Sequence, residues 1–301
     1  MRRSLPLLAF TLVACATTPK PAPEDTRIEA TIYDGRTGEV ISRDVLFERL
    51  AEARVVYVAE RHDSADHHDV QLQVLEALAA RTATIGIGLE MVKRPFQKWL
   101  SDYVAGRIDE AKFIERAEWE RRWGFDFAMY RPLFEVARDK GMPAFALNAR
   151  DEITRAVARE GLDALDPVDR EALPELDLTV ERHRAMVKAV FDTHDMGSMK
   201  FEDFYAAQTI WDETMAFEVA AALEGEGAPK QLVVFAGSGH IRYGYGIPDR
   251  AAKRGATPHA TVLPILEDEE TSVKQLVEDG AADFLWIMRK VPARPAPRPA
   301  G

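Results

Sequence analysis

Several apolar segments of the sequence lead directly into side chains that can transfer a proton or bind a metal. The clearest is "VVYVAERH", in which five apolar residues precede Glu60 and His62. Successive strand residues point to opposite faces, so two residues that are two apart share a side while the chain stays extended. A carboxylate beside an imidazole is a pairing used both in general acid–base catalysis and in catalytic metal sites.

The same arrangement recurs after three further apolar segments. "IGIGLEM" reaches Glu90, "PAFALNAR" reaches Asn148 and Arg150, and "LVVFAGSGH" reaches His240. Each residue has a structural explanation when taken singly: Glu90 could bond a backbone amide, Asn148 could cap a helix, and His240 could be a satisfied core histidine. Ligands of open α/β sheets bind outside the carboxyl ends of the strands. Burying an unpaired carboxylate costs free energy. Four apolar segments that all end in polar side chains therefore predict one shared polar site.

Two kinds of chemistry fit Glu60, His62, Glu90 and His240. Two imidazoles and two carboxylates could hold a divalent metal such as zinc. They could also act as general acid and base without a metal. The sequence has no HExxH motif, so metal ligands would have to converge from separate strands. Ser238, in "GSGH", does not continue as the G-x-S-x-G nucleophile elbow, and no other nucleophile is obvious.

The segments that must position these residues alternate between apolar runs and amphipathic helices. This alternation predicts an α/β fold with a mostly parallel central sheet covered by helices. Two mostly helical stretches, 92–140 and 150–228, are too long for simple crossovers, so we expect part of them to form an inserted helical lid subdomain. One domain spanning 27–290 would contain both the sheet and the insertions.

One helix of the predicted lid, within 194–223, carries polar groups beside an apolar stripe. Gln208 and Asp212 are four residues apart, so they share a helix face. They are either the edge of that helix or a lid contribution to the site, together with His67 from the first turn after "DSAD". Nearby aromatic and methionine residues are either lid core or the wall for a large apolar ligand. That wall would comprise Met199, Tyr205, Trp211, Tyr243 and Tyr245.

The N-terminal segment has the pattern of a bacterial lipoprotein signal. Two arginines and a short apolar region precede "LVAC", which resembles the lipobox and places Cys15, the one cysteine of the sequence, at the lipidation position. The sequence predicts a signal peptide over 1–14, a lipidated Pro-rich tether over 15–26 and a disordered tail over 291–301. We therefore expect a protein anchored to a bacterial membrane, the outer membrane by known sorting rules.

Composition argues against one class of partner. The 301 residues carry a net charge of −11, with 50 acidic residues against 39 basic ones. Nucleic-acid binding requires basic patches that neutralise phosphates. We therefore expect no nucleic-acid partner.

Five blocks of the sequence together resemble the haem-binding uptake family ChaN of the Tiki superfamily. They cover most of the chain between residues 40 and 254, and their order and spacing make the resemblance specific. The first block departs from the usual Gly-Glu-x-His in having Ala59 before the glutamate. The blocks are "VYVAERHDSADHHDVQ", "IGLEM", "MYRPLFEVARDKGMPAFALNAR", "YAAQTIWDETMA" and "GSGHIRYGYGIPDR".

The resemblance implies a surface lipoprotein that binds haem and takes part in iron uptake. It implies haem iron on a tyrosine, and the tyrosines in matching blocks are Tyr130, Tyr205, Tyr243 and Tyr245. Arg150 and Arg242 could pair with the haem propionates. Candidate partners are a second copy of the chain and an outer-membrane haem receptor.

The resemblance also supports an alternative function. Related Tiki branches are hydrolases that use a glutamate–histidine cluster at the strand ends, some of them with a divalent metal. That cluster corresponds here to Glu60, His62, Glu90 and His240. A metal-dependent hydrolase of peptides or esters is therefore the alternative to haem binding.

Overall fold

An eight-stranded sheet forms the centre of the described protein. The structure is a computed structural model that describes residues 26–267 and 272–292, so the predicted signal peptide, Cys15 and most of the tether and tail lie outside the described residues. The strand order is β2-β1-β8-β7-β3-β6-β4-β5. The strands are β1 (Thr26–Asp34), β2 (Val40–Ile41), β3 (Val55–Glu60), β4 (Ile85–Lys93), β5 (Ala144–Asn148), β6 (Gln231–Gly237), β7 (His259–Leu266) and β8 (Phe284–Pro292).

The strands from β8 across to β5 are parallel to one another, and β1 and β2 extend the sheet in antiparallel pairs. The central strand β3 is buried along its whole length because it lies between β6 and β7 and is covered on both faces. Such strands need apolar side chains on both faces, which explains the unbroken run Val55–Ala59. The predicted mostly parallel α/β fold is confirmed.

Helices cover both faces of this sheet. They are α1 (Arg43–Ala51), α2 (Ala65–Ala79), α3 (Gln97–Val104), α4 (Glu110–Arg116), α5 (Trp119–Arg122), α6 (Phe127–Asp139), α7 (Asp151–Glu160), α8 (Pro167–Glu171), α9 (Glu181–Asp192), α10 (Phe201–Ala222), α11 (Ser238–Ile241), α12 (Ile247–Lys253) and α13 (Val273–Glu278), with short 3₁₀ turns at Arg94–Phe96, Leu162–Ala164 and Arg242–Gly244. Helices α1 to α6 contribute to the core on one face, and α10, α12 and α13 to the core on the other. No helix in the described residues is both long and apolar enough to cross a membrane.

The predicted helical lid is present as α7 to α10. Helices α7 and α10, with the segment between α7 and α9, form a third, smaller apolar cluster that includes Ile153, Val157 and Ile210. Helix α10 connects this cluster to the sheet, because Met215 and Val219 further along it pack into the sheet core. Nearly every side of α10 is therefore buried, and its Asp212 lies inside the protein.

Candidate functional site

A cleft of about 740 Å³ opens at the carboxyl ends of β3, β6 and β7. This is the edge at which parallel sheets bind ligands, and the volume is within the range of small-molecule sites. One wall comes from the end of β7 and from α13 and is largely apolar, with Ser272, Gln275 and Asp279 as its polar members, whereas the floor is polar. The floor and mouth include Glu60, Arg61, His62, His67, Gln208, Gly237, Ser238, Gly239, His240 and Arg242, and the far wall includes Leu263, Pro264, Ile265, Leu266, Gln275 and Leu276.

Glu60 and His62 form a direct pair on the cleft floor. Glu60 is the last residue of β3, and its Oε1 lies 2.6 Å from Nδ1 of His62. Because a carboxylate oxygen accepts hydrogen bonds, Nδ1 of His62 carries the proton of this contact. In the described part of the chain no hydrogen bond is formed to the other ring nitrogen, Nε2. The imidazole thus keeps one nitrogen for a ligand.

Three further side chains contact the carboxyl group of Glu60. The hydroxyl of Tyr130 donates to Oε1 over 3.0 Å, and the amide of Gln71 donates to Oε2 over 2.8 Å. His68 lies 3.4 Å from Oε2 and reaches the backbone oxygen of His62 with its other nitrogen. Burial, together with the charge of Glu60, raises the pKa of Tyr130. The carboxyl group is consequently held in one orientation towards His62.

The ring of His62 is packed between aromatic side chains and a glycine. Trp123 and Phe125, from the loop after α5, lie 4.6 and 5.2 Å from it, centroid to centroid. On the other side, a Cβ at Gly237 would stand 2.9 Å from Cε1 of His62. Only glycine therefore leaves room for this ring position. Burial lowers the pKa of His62, but the hydrogen bond to Glu60 and the charge of Glu90 outweigh burial and raise it.

Glu90 and His240 form a second pair, in which both imidazole nitrogens face carboxylates. Oε2 of Glu90 accepts the backbone N–H of Gly237 over 2.6 Å, and Oε1 lies 3.3 Å from Nε2 of His240. Nδ1 of His240 lies 2.7 Å from Asp212. Burial alone would lower the pKa of His240, but the carboxylates of Glu90 and Asp212 raise it to about 10. Burial would raise the pKa of Glu90, but His240 and His62 hold it at about 2.

The structure thus brings Glu60, His62, Glu90 and His240 together, with Asp212 behind His240. His67 and Gln208 also line the cleft. Nδ1 of His67 accepts the backbone N–H of Arg61, and burial with the charge of Arg61 lowers the pKa of His67 to about 4. His67 is therefore neutral at neutral pH.

Two of the supporting residues lie elsewhere. Asn148 donates to the backbone oxygen of Glu90 and does not cap α7. Arg150 pairs with Asp169 over 2.9 Å and is not part of the cleft lining. Arg150 is thus not placed to contact a propionate in the cleft, because its guanidinium is already bound on the lid.

The cleft is not walled by the aromatic residues that the sequence predicted. Of the seven residues expected to contact haem, only Arg242 lines this cleft, and the predicted haem wall stays a prediction. The others are used in packing: Tyr130 and Tyr205 are buried, Tyr243 stacks on Tyr245, and Met199 and Trp211 are partly buried outside the lining. The amphipathic pattern of α10 identified an apolar stripe correctly, but that stripe faces the protein core.

The donor set does not fit a divalent metal. Within the described residues, no group of three or more histidine, cysteine or acidic side chains is arranged to hold a metal ion. The reason is visible in the contacts: Nδ1 of His62 is bound to Glu60, and both nitrogens of His240 face carboxylates. The predicted metal site at Glu60, His62, Glu90 and His240 is therefore not supported.

Several residues of the site were missed from the sequence. Gln71 is a polar residue among the buried apolar residues Val70, Val74, Leu75 and Leu78 of α2, and this mismatch was a usable signal. His183, whose Nε2 lies 3.2 Å from Asp212, and the pair Trp123 and Phe125 carried no such signal, because their positions depend on how the helical insertions fold back.

Comparisons with known proteins agree with this fold. Residues 46–251 match the family described as "Haem-binding uptake, Tiki superfamily, ChaN". A solved structure described as "Cofacial heme binding to ChaN of Campylobacter jejuni" superposes with a TM-score of 0.67 at 16% identity, covering 86% of this chain and 96% of that one.

Two further proteins are similar to the chain. Protein RETICULATA-RELATED 5, chloroplastic, from Arabidopsis thaliana is 26% identical over 305 residues, which cover 91% of this chain but only 40% of that protein. A mutant of the erythromycin esterase EreC in its open conformation superposes with a TM-score of 0.47 at 12% identity, covering 80% of this chain and 77% of that one. The last likeness is too low to carry an inference.

Proposed function

We propose a function from the family to which this chain belongs, the haem-binding uptake family ChaN of the Tiki superfamily: the cleft beside His62 binds haem. The observation that carries this proposal is the shape and lining of the cleft. Its volume of about 740 Å³ suits a small organic ligand, and one wall is largely apolar while the floor is polar. Haem likewise has an apolar part and a polar part, because its ring is largely apolar and its propionates are charged.

The residues present can accommodate the two parts of haem. Leu263, Ile265 and Leu276 offer apolar contact for the ring. Arg242 lies at the cleft, and within the described residues its guanidinium has a buried Nε with no hydrogen-bond partner, whereas the guanidinium of Arg61 pairs with Asp63 over 2.8 Å. A guanidinium is well suited to bind carboxylates. When bound, haem would supply its iron for ligation or capture.

A haemin titration of the purified full-length protein tests this proposal. Saturable binding, followed through the Soret band, is expected. Gln275→Trp should fill the cleft mouth and weaken binding by at least about tenfold, equivalent to 1.4 kcal/mol. The matched control is Lys274→Trp, on the neighbouring position of α13, which does not line the cleft. Equal haemin affinity of both variants would place the haem elsewhere.

We further propose that the protein is anchored to a bacterial membrane through lipid on Cys15 and contributes to haem and iron uptake. The support is the Leu-Val-Ala-Cys sequence after a basic and apolar start. Cys15→Ala should move the protein from the membrane fraction to the soluble fraction, and Thr17→Ala serves as a control. Unchanged fractionation of Cys15→Ala would overturn the anchor. A second copy of the chain and an outer-membrane haem receptor are the partners we propose to test.

The Glu60–His62 pair supports a second candidate, hydrolysis without a metal. A carboxylate-bound imidazole with a free nitrogen can accept a proton from water as the water oxygen adds to an ester or amide carbonyl. It can then return that proton to the alcohol or amine that leaves when the C–O or C–N bond breaks. A panel of ester and peptide substrates, assayed with and without a chelator, tests this. Turnover that resists the chelator and is lost in His62→Asn favours the hydrolase; absence of turnover in the parent removes it.

A further inference from the structure

We propose that the edge of the sheet at which the cleft opens lies against an anionic lipid bilayer. This inference rests on the proposed lipid anchor at Cys15. A ligand that partitions into the bilayer, such as haem, would then meet the cleft at the membrane surface. The observations that carry the inference are the direction of β1, the way β1 and β8 project beside the cleft, and the charge near the two ends of the chain.

The first observation is the direction of β1. Strands β3, β7 and β8 are parallel, and the cleft opens at the edge of the sheet formed by the carboxyl ends of β3 and β7. Because β1 is antiparallel to β8, its first residue, Thr26, lies at this edge, and its last residue, Asp34, lies roughly 27 Å away along the strand. The proposed anchor therefore joins the fold on the side of the cleft.

The length of chain between the anchor and the fold limits how far this edge can move from a membrane. Ten residues separate Cys15 from Thr26. Even a fully extended chain of this length spans at most about 40 Å. A lipid on Cys15 would consequently keep the cleft edge within that distance of the bilayer, with the opposite edge of the sheet free to point away.

The second observation is an arm that projects past the cleft wall. Leu266, at the end of β7, pairs with Met288 of β8, and Met288 pairs with Ala30 of β1. Strands β1 and β8 continue for four more pairs, up to Thr26 and Pro292. At about 3.3 Å per residue, this two-stranded arm extends about 13 Å beyond the end of β7, which forms part of the largely apolar wall. The arm thus stands beside the cleft, on the side where the anchor would lie.

The third observation is what the arm exposes. Ile28 is 40% exposed, and it pairs across the arm with Lys290, whose side chain is 57% exposed. Nζ of Lys290 lies 3.9 Å from Asp66, which is too far for a hydrogen bond, whereas Arg289 is paired with Glu267. An exposed apolar side chain opposite a lysine suits the headgroup region of a bilayer, where the alkyl groups can enter and the amine can meet phosphate.

The fourth observation is the charge of the sequence near the arm. Residues 16–29 and 284–301 together carry six basic and three acidic residues, a net charge of +3, within a chain whose net charge is −11. No acidic residue follows Asp283 in the sequence, whereas four basic residues do. Basic segments beside a membrane anchor are attracted to anionic lipids. The segments that join the arm therefore match an anionic surface, which the acidic remainder of the chain does not.

The test places one fluorescent label at either end of the same strand. Asp63→Cys lies just after β3, at the cleft edge, and Glu52→Cys lies just before it, at the opposite edge; both native side chains are exposed and neither lines the cleft. Cys15 is the one cysteine of the sequence, so its lipidation would leave the introduced residue as the one free thiol. The mature full-length protein is reconstituted on vesicles of phosphatidylethanolamine and phosphatidylglycerol that carry a nitroxide quencher on the headgroup.

The label at position 63 should be quenched at least about twofold more strongly than the label at position 52, because β3 separates the two edges by about 20 Å. Lys290→Glu, on the arm, should reduce the quenching at position 63. The matched control is Arg36→Glu, beyond the other end of β1, which makes the same charge change away from the cleft edge and should leave the quenching unchanged. Replacing phosphatidylglycerol with phosphatidylcholine should act like Lys290→Glu.

The outcomes separate the orientation from the proposed anchor. If the protein floats with the vesicles but the two labels are quenched equally, or position 52 more strongly, or neither at all, the orientation is overturned and the anchor stands. Equal effects of Lys290→Glu and Arg36→Glu would overturn the contact between the arm and the lipid. If the parent does not float with the vesicles and a thiol reagent labels its Cys15, the anchor is overturned and the orientation with it. A haemin titration reports on haem binding independently of all these results.

Discussion

Two histidine–carboxylate pairs stand on neighbouring strands of the same sheet, and they differ in what each imidazole has left to offer. His62 lines the cleft and is bound to Glu60 through one nitrogen, and no hydrogen bond to its other nitrogen is formed in the described residues. His240 lies between Glu90 and Asp212, with a carboxylate at each nitrogen. One pair is open to a ligand, and the other is closed.

This difference distinguishes a histidine that can react, His62, from one that supports the structure, His240. An imidazole flanked by two buried carboxylates is held as a cation and offsets charges that would otherwise be costly to bury. His240 therefore keeps Glu90 and Asp212 inside the protein and ties α10 to the end of β6. His62, with only one such partner, can exchange a proton with a ligand. His62 and His240 have similar sequence contexts, each after an apolar strand, but they differ in their roles.

The largest expected effect comes from removing the closed pair. His240→Asn retains an amide near Asp212 but leaves Glu90 without its cation. We expect the free energy of unfolding to fall by about 3–5 kcal/mol, as for other broken buried pairs. The matched change His62→Asn should cost about 1 kcal/mol or less, since it keeps the Glu60 contact and its ring is partly exposed. Urea denaturation of both variants measures this; equal losses would contradict the comparison.

A pH titration of stability should show the same contrast. The pKa of His240 is raised to about 10 in the folded protein, against an ordinary value of 6.5. A raised pKa contributes stability that is fully present below 6.5 and is lost as the pH rises towards 10. We expect the free energy of unfolding of the parent to fall by more than about 1 kcal/mol between pH 7 and 10, since a shift of one pKa unit corresponds to about that free energy. The control is His240→Asn, whose curve should be flatter; parallel curves would show that the imidazolium of His240 contributes nothing.

The sequence predicted the sheet and the positions of the catalytic-type residues well, because both depend on local pattern. The apolar run before Glu60 and the run before His240 define buried parallel strands, and the carboxyl ends of such strands meet at one edge. The sequence pattern, however, does not show how many side chains contact each imidazole. Asp212 and His183 come from the lid, so the closure of His240 depends on long-range packing.

The aromatic residues predicted to wall a ligand lie away from the cleft for a related physical reason. An aromatic stripe such as that containing Tyr205 and Trp211 has the same periodicity whether it faces a core or a ligand. In the structure that stripe fills the interior, whereas the apolar wall comes from β7 and α13. The sequences of β7 and α13 are those of an ordinary strand and helix, so their composition did not indicate a cleft wall.

A smaller effect is expected at the glycine that separates the two pairs. A methyl group at Gly237 would stand 2.9 Å from Cε1 of His62 and 3.5 Å from Oε2 of Glu90. Gly237→Ala should therefore displace the imidazole, at a cost in stability of about 1–3 kcal/mol typical of overpacking. Haemin affinity should fall with it. Gly239→Ala is the control, since a Cβ at Gly239 meets nothing within 4 Å. The idea fails if Gly237→Ala and Gly239→Ala bind haemin alike.

The smallest effect should come from Tyr130→Phe, which loosens the open pair without breaking it. The phenol donates one hydrogen bond to Oε1 of Glu60, while Gln71 continues to hold Oε2. Loss of one hydrogen bond to a carboxylate should reduce the free energy of unfolding by about 1.5 kcal/mol. The ring itself stays, so the packing of α6 against α2 is preserved. If Tyr130 only supports Glu60, haemin binding should weaken only a few-fold. Tyr130 was also a candidate iron ligand, and in that case the same change would abolish the ligand signature entirely. A spectrum of Tyr130→Phe with haemin, recorded beside urea denaturation, decides between a residue that supports Glu60 and one that binds iron.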